Sequence, residues 1–443
     1  MIKEMSMNNV ALPDIRETVS DIVKRTPVYD IHTHLYDVPF GDLFLWGIDE
    51  LITYHYIIVE LFRQTPILYN DFWNMSKTEK ADCIWKNLFV DNSPVSESCR
   101  GVLTCLDRLG ISTETKDISE IREYFSELSP SEYADTVFKT ANIESVVMTN
   151  NPFDDKEREL WAKGLDLDER FKTSLRLDPL LFDWENICPA LKEWGYKVQS
   201  DFSGSTFTEI TGFLEHWADT MSPLYAAVSL PPDFVFPDES PCGTIVENCV
   251  IPFSRERNIP FAMMIGVKRR VNPWLRMAGD SVGKADMEMI EHLCARYPDN
   301  KFLITFLSRE NQHEACVAAR KYNNLMLFGC WWFMNNPSII EEITRERMET
   351  LGTSFIPQHS DARIIDQLIY KWDHSREVIA RVLADKYRDL LKTGWPLTRA
   401  DIERDVFKLF SGNFKTFLSR THGSAPTEGR VACDPGTIEK GVF

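Results

Sequence analysis

The sequence lacks several features that would place it in other classes of protein. No stretch approaches the roughly 18 unbroken apolar residues that a membrane-spanning helix needs. The N-terminus, MIKEMSMNNVALPD, lacks the basic, then apolar, then small-residue layout of a signal peptide. The ten cysteines include no CxxC pair, so they predict reduced thiols and neither a disulfide framework nor a zinc finger. We therefore expect a soluble, cytoplasmic protein.

Excess positive charge is also absent. The 443 residues include 49 lysines and arginines against 67 aspartates and glutamates, a formal net charge of −18. This balance argues against nucleic acid and against anionic membranes as partners. It does not exclude a small anionic ligand, because a few arginines in one pocket are enough to bind one.

Short β-rich runs alternate with helix-like segments along the chain, without a fixed-period repeat. The runs are nearly continuous in apolar residues, as expected for strands that are buried on both faces of a parallel sheet. They cover 27–32, 145–149, 173–177, 225–230, 261–267, 302–307, 325–330 and 353–357. Eight alternating units predict an α/β fold, either a doubly wound sheet or a closed barrel, and their number favours a (β/α)8 TIM-type barrel.

Two regions exceed a plain barrel. The segment between the first two strands is too long for a loop and rich in aromatic residues, so we predict a helical insertion over the barrel mouth. Amphipathic segments after the last strand predict extra C-terminal helices. The predicted ranges are 1–35 for an N-terminal helix and the first strand, 36–142 for the insertion, 143–363 for the rest of the barrel, 364–421 for the C-terminal helices and 422–443 for a flexible tail.

Candidate metal ligands lie at the ends of the first and last predicted strands, where barrel enzymes place their chemistry. His32 and His34 are two residues apart on a strand and so point to the same side, where they can share one metal ion. The alternative is two polar side chains that bond to their neighbours. Asp361 follows the eighth strand, which is adjacent to the first in a closed barrel, so its carboxylate can complete the site.

Other polar and aromatic residues collect at the same predicted mouth. An arginine at a strand end in an acidic protein, such as Arg176 or Arg363, indicates an anionic partner, although Arg176 can instead pair with Asp178. Trp331 and Trp332 are either core residues or a surface on which a sugar stacks.

The segment 51–63 reads as a helix that contains His55 and Tyr56, and its tyrosines can equally be core residues. His359 shares parity with Asp361, and a structural role is expected for it. Strand four has no lysine and strand five has Met264 where a histidine could stand, so a two-metal site is not supported. One metal with open coordination positions for substrate oxygens is expected.

Taken together, these segments resemble uronate isomerase, a divergent branch of the amidohydrolase superfamily. The resemblance runs from about Asp30 to about Phe417. It rests on the HxH pair, the His-Tyr pair and the segments SLRLDP, IGVKRRVNP, GCWWFMNNP and PQHSDAR. Members interconvert glucuronate with fructuronate and galacturonate with tagaturonate. Replacement of the strand-five histidine, at Met264 or its neighbour, matches a less typical subgroup.

The resemblance implies a role for each matching residue. One divalent metal, zinc or else manganese or another divalent ion, is implied at His32, His34 and Asp361. The implied substrate-binding residues are His55, Arg176, Arg363, Trp331 and Trp332. The implied catalytic residues are Tyr56, Asp361 and His32. A phenol beside an arginine has its charged form favoured, so Tyr56 is the expected base if Arg363 is near.

The expected activity is therefore a metal-assisted aldose–ketose isomerisation of a hexuronate. A mononuclear metal hydrolase or decarboxylase acting on another small carboxylate is the second hypothesis, and a non-catalytic barrel is the third. The preferred uronate and the choice between proton and hydride transfer stay open. A homo-oligomer is expected because large aromatic barrels usually self-associate.

Overall fold

A curled parallel sheet forms the centre of the protein, which we describe from a computed structural model covering residue 10 and residues 12–421. The predicted tail, 422–443, lies outside the described residues. The strands are β1 Val28–Asp30, β2 Ile143–Asn150, β3 Phe171–Arg176, β4 Ala226–Leu230, β5 Phe261–Ile265, β6 Val267–Lys268, β7 Ser281–Val282, β8 Phe302–Phe306 and β9 Leu325–Leu327. The sheet order is β1-β2-β3-β4-β5-β8-β9 with every neighbour parallel, and β6 and β7 form a separate antiparallel ribbon.

The eighth predicted strand is much shorter than expected. Only Ile356 pairs, through one parallel bridge to Phe328. The chain beyond it still meets β1, since the Asp361 amide donates to the His32 carbonyl at 3.2 Å and the His34 amide donates to the Ala362 carbonyl at 2.7 Å. An irregular segment therefore closes the TIM-type barrel where a regular strand was predicted.

The fifth strand is also shorter than predicted. β5 ends at Ile265 because Gly266 has φ +117, a backbone conformation that side chains with a Cβ rarely adopt. Val267, predicted to continue the strand, belongs instead to the β6–β7 ribbon.

Helices surround the sheet and fill the gap between the first two strands. They are α1 Ile15–Arg25, α2 Ile48–Ile52, α3 His55–Gln64, α4 Tyr69–Asn74, α5 Lys77–Ile84, α6 Glu97–Arg108, α7 Ile118–Ser126, α8 Pro130–Ala141, α9 Asp155–Ala162, α10 Asp178–Phe182, α11 Trp184–Glu193, α12 Thr206–Met221, α13 Pro241–Ile245, α14 Ile251–Glu256, α15 Glu288–Arg296, α16 Gln312–Ala319, α17 Pro337–Leu351, α18 Gln367–Lys392, α19 Arg399–Phe407 and α20 Asn413–Ser419. Among the residues that the structure describes, no helix is both long and apolar enough to cross a membrane.

Helices α2 to α8 lie between β1 and β2, and α6 and α8 of this group pack on the long helix α18. The buried carboxylate of Asp366, just before α18, accepts a hydrogen bond from the Tyr133 hydroxyl at 2.6 Å and another from the Gly47 amide at 3.1 Å. The single helix predicted over 51–63 is wrong, because Tyr54 is extended and separates α2 from α3. The break places His55 at the start of α3, facing the mouth.

Helix α20 covers the opposite end of the barrel. The ring of Phe414 lies 5.5 Å from that of Tyr29 and 6.3 Å from that of Tyr225, two residues near the starts of β1 and β4. With Phe417 they form an apolar cluster that continues into the barrel interior. An apolar cluster therefore covers the N-terminal ends of β1 and β4.

Candidate active site

His32, His34 and Asp361 come together at the barrel mouth, as the sequence predicted. Asp361 Oδ1 lies 3.7 Å from His32 Nε2 and 3.4 Å from His34 Nε2, and one ligand atom from each residue lies within 4.8 Å of the others. His32 and Asp361 are buried, and neither His32 Nε2 nor Asp361 Oδ1 has a hydrogen-bond partner. Two imidazole nitrogens and one carboxylate are a donor set typical of a divalent metal site with open positions, so the residues fit such an ion.

Both imidazoles are in the neutral form that metal binding requires. Burial lowers the pKa of His32 to about 3, helped by His34 and opposed by Asp361. Burial also lowers the pKa of His34 well below its ordinary value, and the positive charges of Arg363 and Arg176 lower it further.

Two residues of the mouth have strained backbones. Asp361 has φ +53 and Trp332 has φ +48, both in the left-handed region that most side chains avoid. The conformation is unusual for a bulky residue such as tryptophan, and such strain clusters at functional sites. At Asp361 this conformation turns the chain away from the extended direction just beyond the short eighth strand.

A pocket opens above the candidate metal ligands, and its charged lining residues are three arginines and two aspartates. Its lining consists of His34, His55, Arg176, Ser229, Arg269, Met277, Asp280, Trp331, Trp332, Asp361 and Arg363. Every residue predicted to bind substrate is therefore at this pocket, together with four that the sequence did not single out.

The three arginines differ in how their charge is balanced. Arg176 pairs with Asp178 at 3.0 Å, the ion pair that the alternative interpretation of this residue predicted. Arg269 pairs with Asp280 at 2.8 Å. Arg363 has no carboxylate within 4.0 Å in the described part of the chain, which makes its guanidinium the group most available to an anionic ligand.

Tyr56 lies in a group of aromatic rings at the start of α3. Its ring is 4.9 Å from that of Tyr54 and 4.5 Å from that of His55, and its buried hydroxyl has no partner. Burial raises the pKa of Tyr56 well above its ordinary value, Tyr54 and Asp361 raise it further, and Arg363 opposes them. The arginine thus favours the charged phenol, as expected, but burial outweighs its effect.

The two tryptophans take different positions. Trp331 is 3% exposed and belongs to the barrel-interior cluster. Trp332 is partly exposed, its ring lies 5.8 Å from that of His55, and its indole Nε1 has no partner. Trp332 thus offers both a face and a hydrogen-bond donor to a ligand.

His359 is buried beneath the metal cluster and is not part of it. Its ring lies 5.4 Å from that of His32, and neither ring nitrogen has a partner. Gly329 makes room for it, because a Cβ at that position would stand 1.7 Å from His359 Nδ1.

Arg269, Ser229, Met277, Asp280 and Lys371 were missed by the sequence reasoning. A signal existed for Arg269, which stands in the basic run after the fifth strand, but the run does not show which residue turns inward. No sequence signal pointed to Lys371, since a lysine on an amphipathic helix is ordinarily exposed. Here it is 3% exposed, its Nζ lies 5.7 Å from the Tyr56 ring centroid, and burial lowers its pKa to about 8.

The fold and the pocket define an α/β-barrel protein with a candidate mononuclear metal centre beneath a cationic mouth. Among solved structures, the chain is similar to a uronate isomerase from Bacillus halodurans C-125, with 55% sequence identity and a TM-score of 0.91. The match covers 93% of this chain and 98% of that chain. The chain therefore belongs to the uronate isomerase family, and the resemblance seen in its motifs is confirmed.

Two more distant structures share the fold. A uronate isomerase from Thermotoga maritima is 16% identical, with a TM-score of 0.74 over 94% of this chain and 100% of that chain. A glucuronate isomerase from Caulobacter crescentus is 15% identical, with a TM-score of 0.74 over 96% of this chain and 98% of that chain. No protein-family model and no curated protein matches the chain.

Proposed function

We propose that this protein is an aldose–ketose isomerase that interconverts D-glucuronate with D-fructuronate, D-galacturonate with D-tagaturonate, or both. The observation that carries the proposal is one pocket in which the unpaired guanidinium of Arg363 faces the cluster of His32, His34 and Asp361. The family membership supports it, since relatives of known structure are named uronate or glucuronate isomerases.

Arg363 and Arg176 bind the carboxylate and hydroxyl groups of the sugar acid. A guanidinium presents paired donors that match a carboxylate, and a partly buried pocket strengthens the bond. His55 adds a ring nitrogen, Nε2, that is buried without a partner, and Trp332 adds its ring face and its indole N–H. These groups account for a preference for a sugar acid over a neutral sugar.

His32, His34 and Asp361 hold one divalent ion, for which zinc is the first candidate and manganese the second. When bound, such an ion supplies Lewis acidity at the sugar oxygen on C1 or C2. Because the two imidazoles are neutral at physiological pH, their nitrogens need not lose a proton to bind it.

Tyr56 and Asp361 exchange protons with the substrate. The isomerisation opens the sugar ring and moves a proton between C2 and C1 through an enediol. As the ring opens, the carboxylate of Asp361 accepts the proton of the C1 hydroxyl, and the hydroxyl of Tyr56, which burial keeps protonated, donates its proton to the ring oxygen. The charge of Arg363, which lowers the pKa of Tyr56, favours the loss of that proton, and the resulting phenolate takes the proton from C2 and returns it to C1.

Proton NMR of the enzyme in D2O tests the proposal, with D-glucuronate and D-galacturonate in separate samples and an added divalent metal. Appearance of the matching ketose is expected, and deuterium at C1 would show transfer through a solvent-exchangeable proton. If neither sugar changes while the protein holds metal, the isomerase proposal fails and a hydrolase or decarboxylase of another small carboxylate is favoured.

A matched pair of variants tests the substrate carboxylate site. Arg363→Met is expected to lower kcat/KM by about 10–100-fold, the effect of losing a hydrogen bond to a charged group. Arg309→Met is the control, since Arg309 is an exposed arginine paired with Glu342. Equal kcat/KM in the two variants would contradict the role of Arg363.

A further inference from the structure

We infer that Tyr225 is a positioning residue that fixes the tautomer of His32 and so prepares this histidine for metal binding. The inference deepens the proposed function, because it concerns the same metal site. Tyr225 lies one residue before β4, is 1% exposed and is not among the residues of the pocket. Its hydroxyl oxygen lies 2.7 Å from the Ile31 carbonyl oxygen and 3.1 Å from His32 Nδ1.

The direction of each hydrogen bond follows from the chemistry of the three groups. A carbonyl oxygen only accepts, so the single hydroxyl proton of Tyr225 must point to Ile31. The phenol oxygen can then only accept from His32, which requires the proton on Nδ1. The other tautomer would set the Nδ1 lone pair against the lone pairs of the hydroxyl.

The fixed tautomer leaves the metal-facing nitrogen free. A neutral imidazole carries one N–H, so a proton on Nδ1 leaves a lone pair on Nε2. Nε2 of His32 is the atom that lies 3.7 Å from Asp361 Oδ1 and has no partner. The hydroxyl of Tyr225 thus directs this lone pair and the ring plane into the candidate metal site, as hydrogen bonds to metal-ligating histidines commonly do.

The two histidines of the cluster, His32 and His34, differ in the hydrogen bonds that their rings make. Across residues 12–421, no hydroxyl or carbonyl group bonds to the His34 ring, whose nearest polar partner is the Asp361 carboxylate, 3.4 Å from Nε2. Tyr225 is itself fixed in position. Its ring packs against that of Phe414, and its backbone carbonyl accepts a hydrogen bond from the Leu175 amide at 3.0 Å. A rigid support therefore exists for only one of the two imidazoles.

Zinc affinity, measured by competition with a chromophoric chelator, tests the inference without reference to turnover. Tyr225→Phe keeps the ring and removes the hydroxyl, and it is expected to weaken zinc binding by about 10–100-fold. Tyr29→Phe is the matched control, because its ring also packs on Phe414 while its hydroxyl touches no candidate ligand. The control is expected to bind zinc like the unaltered protein.

Nitrogen-15 NMR of the metal-free protein labelled at histidine provides a measurement that does not depend on how Tyr225→Phe folds. The His32 signals, assigned by their loss in His32→Asn, are expected to show the proton on Nδ1. A proton on Nε2 overturns the inference, as does zinc affinity that is equal in Tyr225→Phe and the unaltered protein, or absent from both. If the zinc and NMR results are as expected while no uronate is isomerised, the proposed function fails and the inference stands.

Discussion

Buried polar groups at the barrel mouth differ in their hydrogen bonding from those at the junctions between the helices and the barrel. At the mouth, the functional atoms themselves have no hydrogen-bond partner: His32 Nε2, His55 Nε2, Tyr56 Oη, Trp332 Nε1, Asp361 Oδ1 and Lys371 Nζ. At the junctions, carboxylates that are just as buried are fully bonded. Glu157, for example, accepts from the Tyr36 hydroxyl, the Asn150 and Trp161 side chains and the Asn151 amide.

The other buried polar atoms without a partner in the described part of the chain belong to groups that are less costly to bury. They are lone hydroxyls, such as that of Thr344, or second atoms of groups that already bond elsewhere, such as Arg347 Nε; the nitrogens of His359, beneath the cluster, are the exception. A buried group without a partner costs about 1–3 kcal/mol, so the mouth is built at the expense of stability. We therefore expect that removing polar atoms lowers activity at the mouth and lowers stability at the junctions.

Two tyrosines with buried hydroxyl groups, Tyr56 and Tyr133, make the sharpest test, and the larger effect is expected at the mouth. Tyr56→Phe removes a hydroxyl that bonds to nothing in the protein. Turnover of the uronate is expected to fall by about 10²–10⁴-fold, the usual contribution of a proton-transfer group. The midpoint of thermal unfolding should stay the same or rise, because no internal bond is lost. A marked loss of stability would show that this hydroxyl has an internal partner.

Lys371→Met is expected to stabilise the protein, which few substitutions of a buried residue do. Burial lowers the pKa of Lys371 to about 8, while Asp361 and Asp30 raise it by less. The unfolded chain keeps its proton up to about pH 10.4, so the buried charge costs about 3 kcal/mol at every pH below 8. That cost falls as the pH rises from 8 to about 10.4, since the folded protein then loses the proton first.

Chemical denaturation at pH 7 and pH 10 in the presence of a chelator measures this effect. The gain in the free energy of unfolding should be present at pH 7 and much smaller at pH 10. Lys392→Met, at an exposed position of the same helix, should change stability by less than about 0.5 kcal/mol at either pH. Destabilisation by Lys371→Met at pH 7 would mean that Lys371 has a partner in solution.

Much of the mouth could be predicted because it follows a local rule. His32, His34, Arg176 and Arg363 each stand at or just beyond a strand end, and the alternation of strands and helices reveals those ends. The reduction of the eighth strand to one bridge at Ile356 could not be predicted, because the apolar run 353–357 has the composition of a buried strand. Nor could the left-handed backbone of Asp361, because strand patterns assume extended residues throughout.

The supporting groups could not be predicted because their partners lie far away in the sequence. Tyr225 bonds to His32 across 193 positions, and Asp366 bonds to Tyr133 across 233. Neither tyrosine differs in its sequence neighbourhood from an ordinary core tyrosine. The role of a buried hydroxyl, in the active site or in stability alone, depends on which helices and strands pack around it. Only the folded structure shows those contacts.

Tyr133→Phe completes the comparison at the junction and is expected to have the smallest effect. The hydroxyl of Tyr133 donates to Asp366, whose pKa burial has already raised to about 6. Its removal leaves this carboxylate with the Gly47 amide as its remaining donor, which should lower the free energy of unfolding by about 1–3 kcal/mol. Zinc affinity and kcat should stay within twofold of the unaltered protein, measured well below the unfolding midpoint. Because Tyr133 and Tyr56 both carry a buried hydroxyl and both lose the same atom, opposite outcomes would assign function to the unbonded hydroxyl and stability to the bonded one. The same loss of turnover in both variants would instead mean that the junction between α8 and α18 controls the mouth, and the two regions would then have to be treated as one.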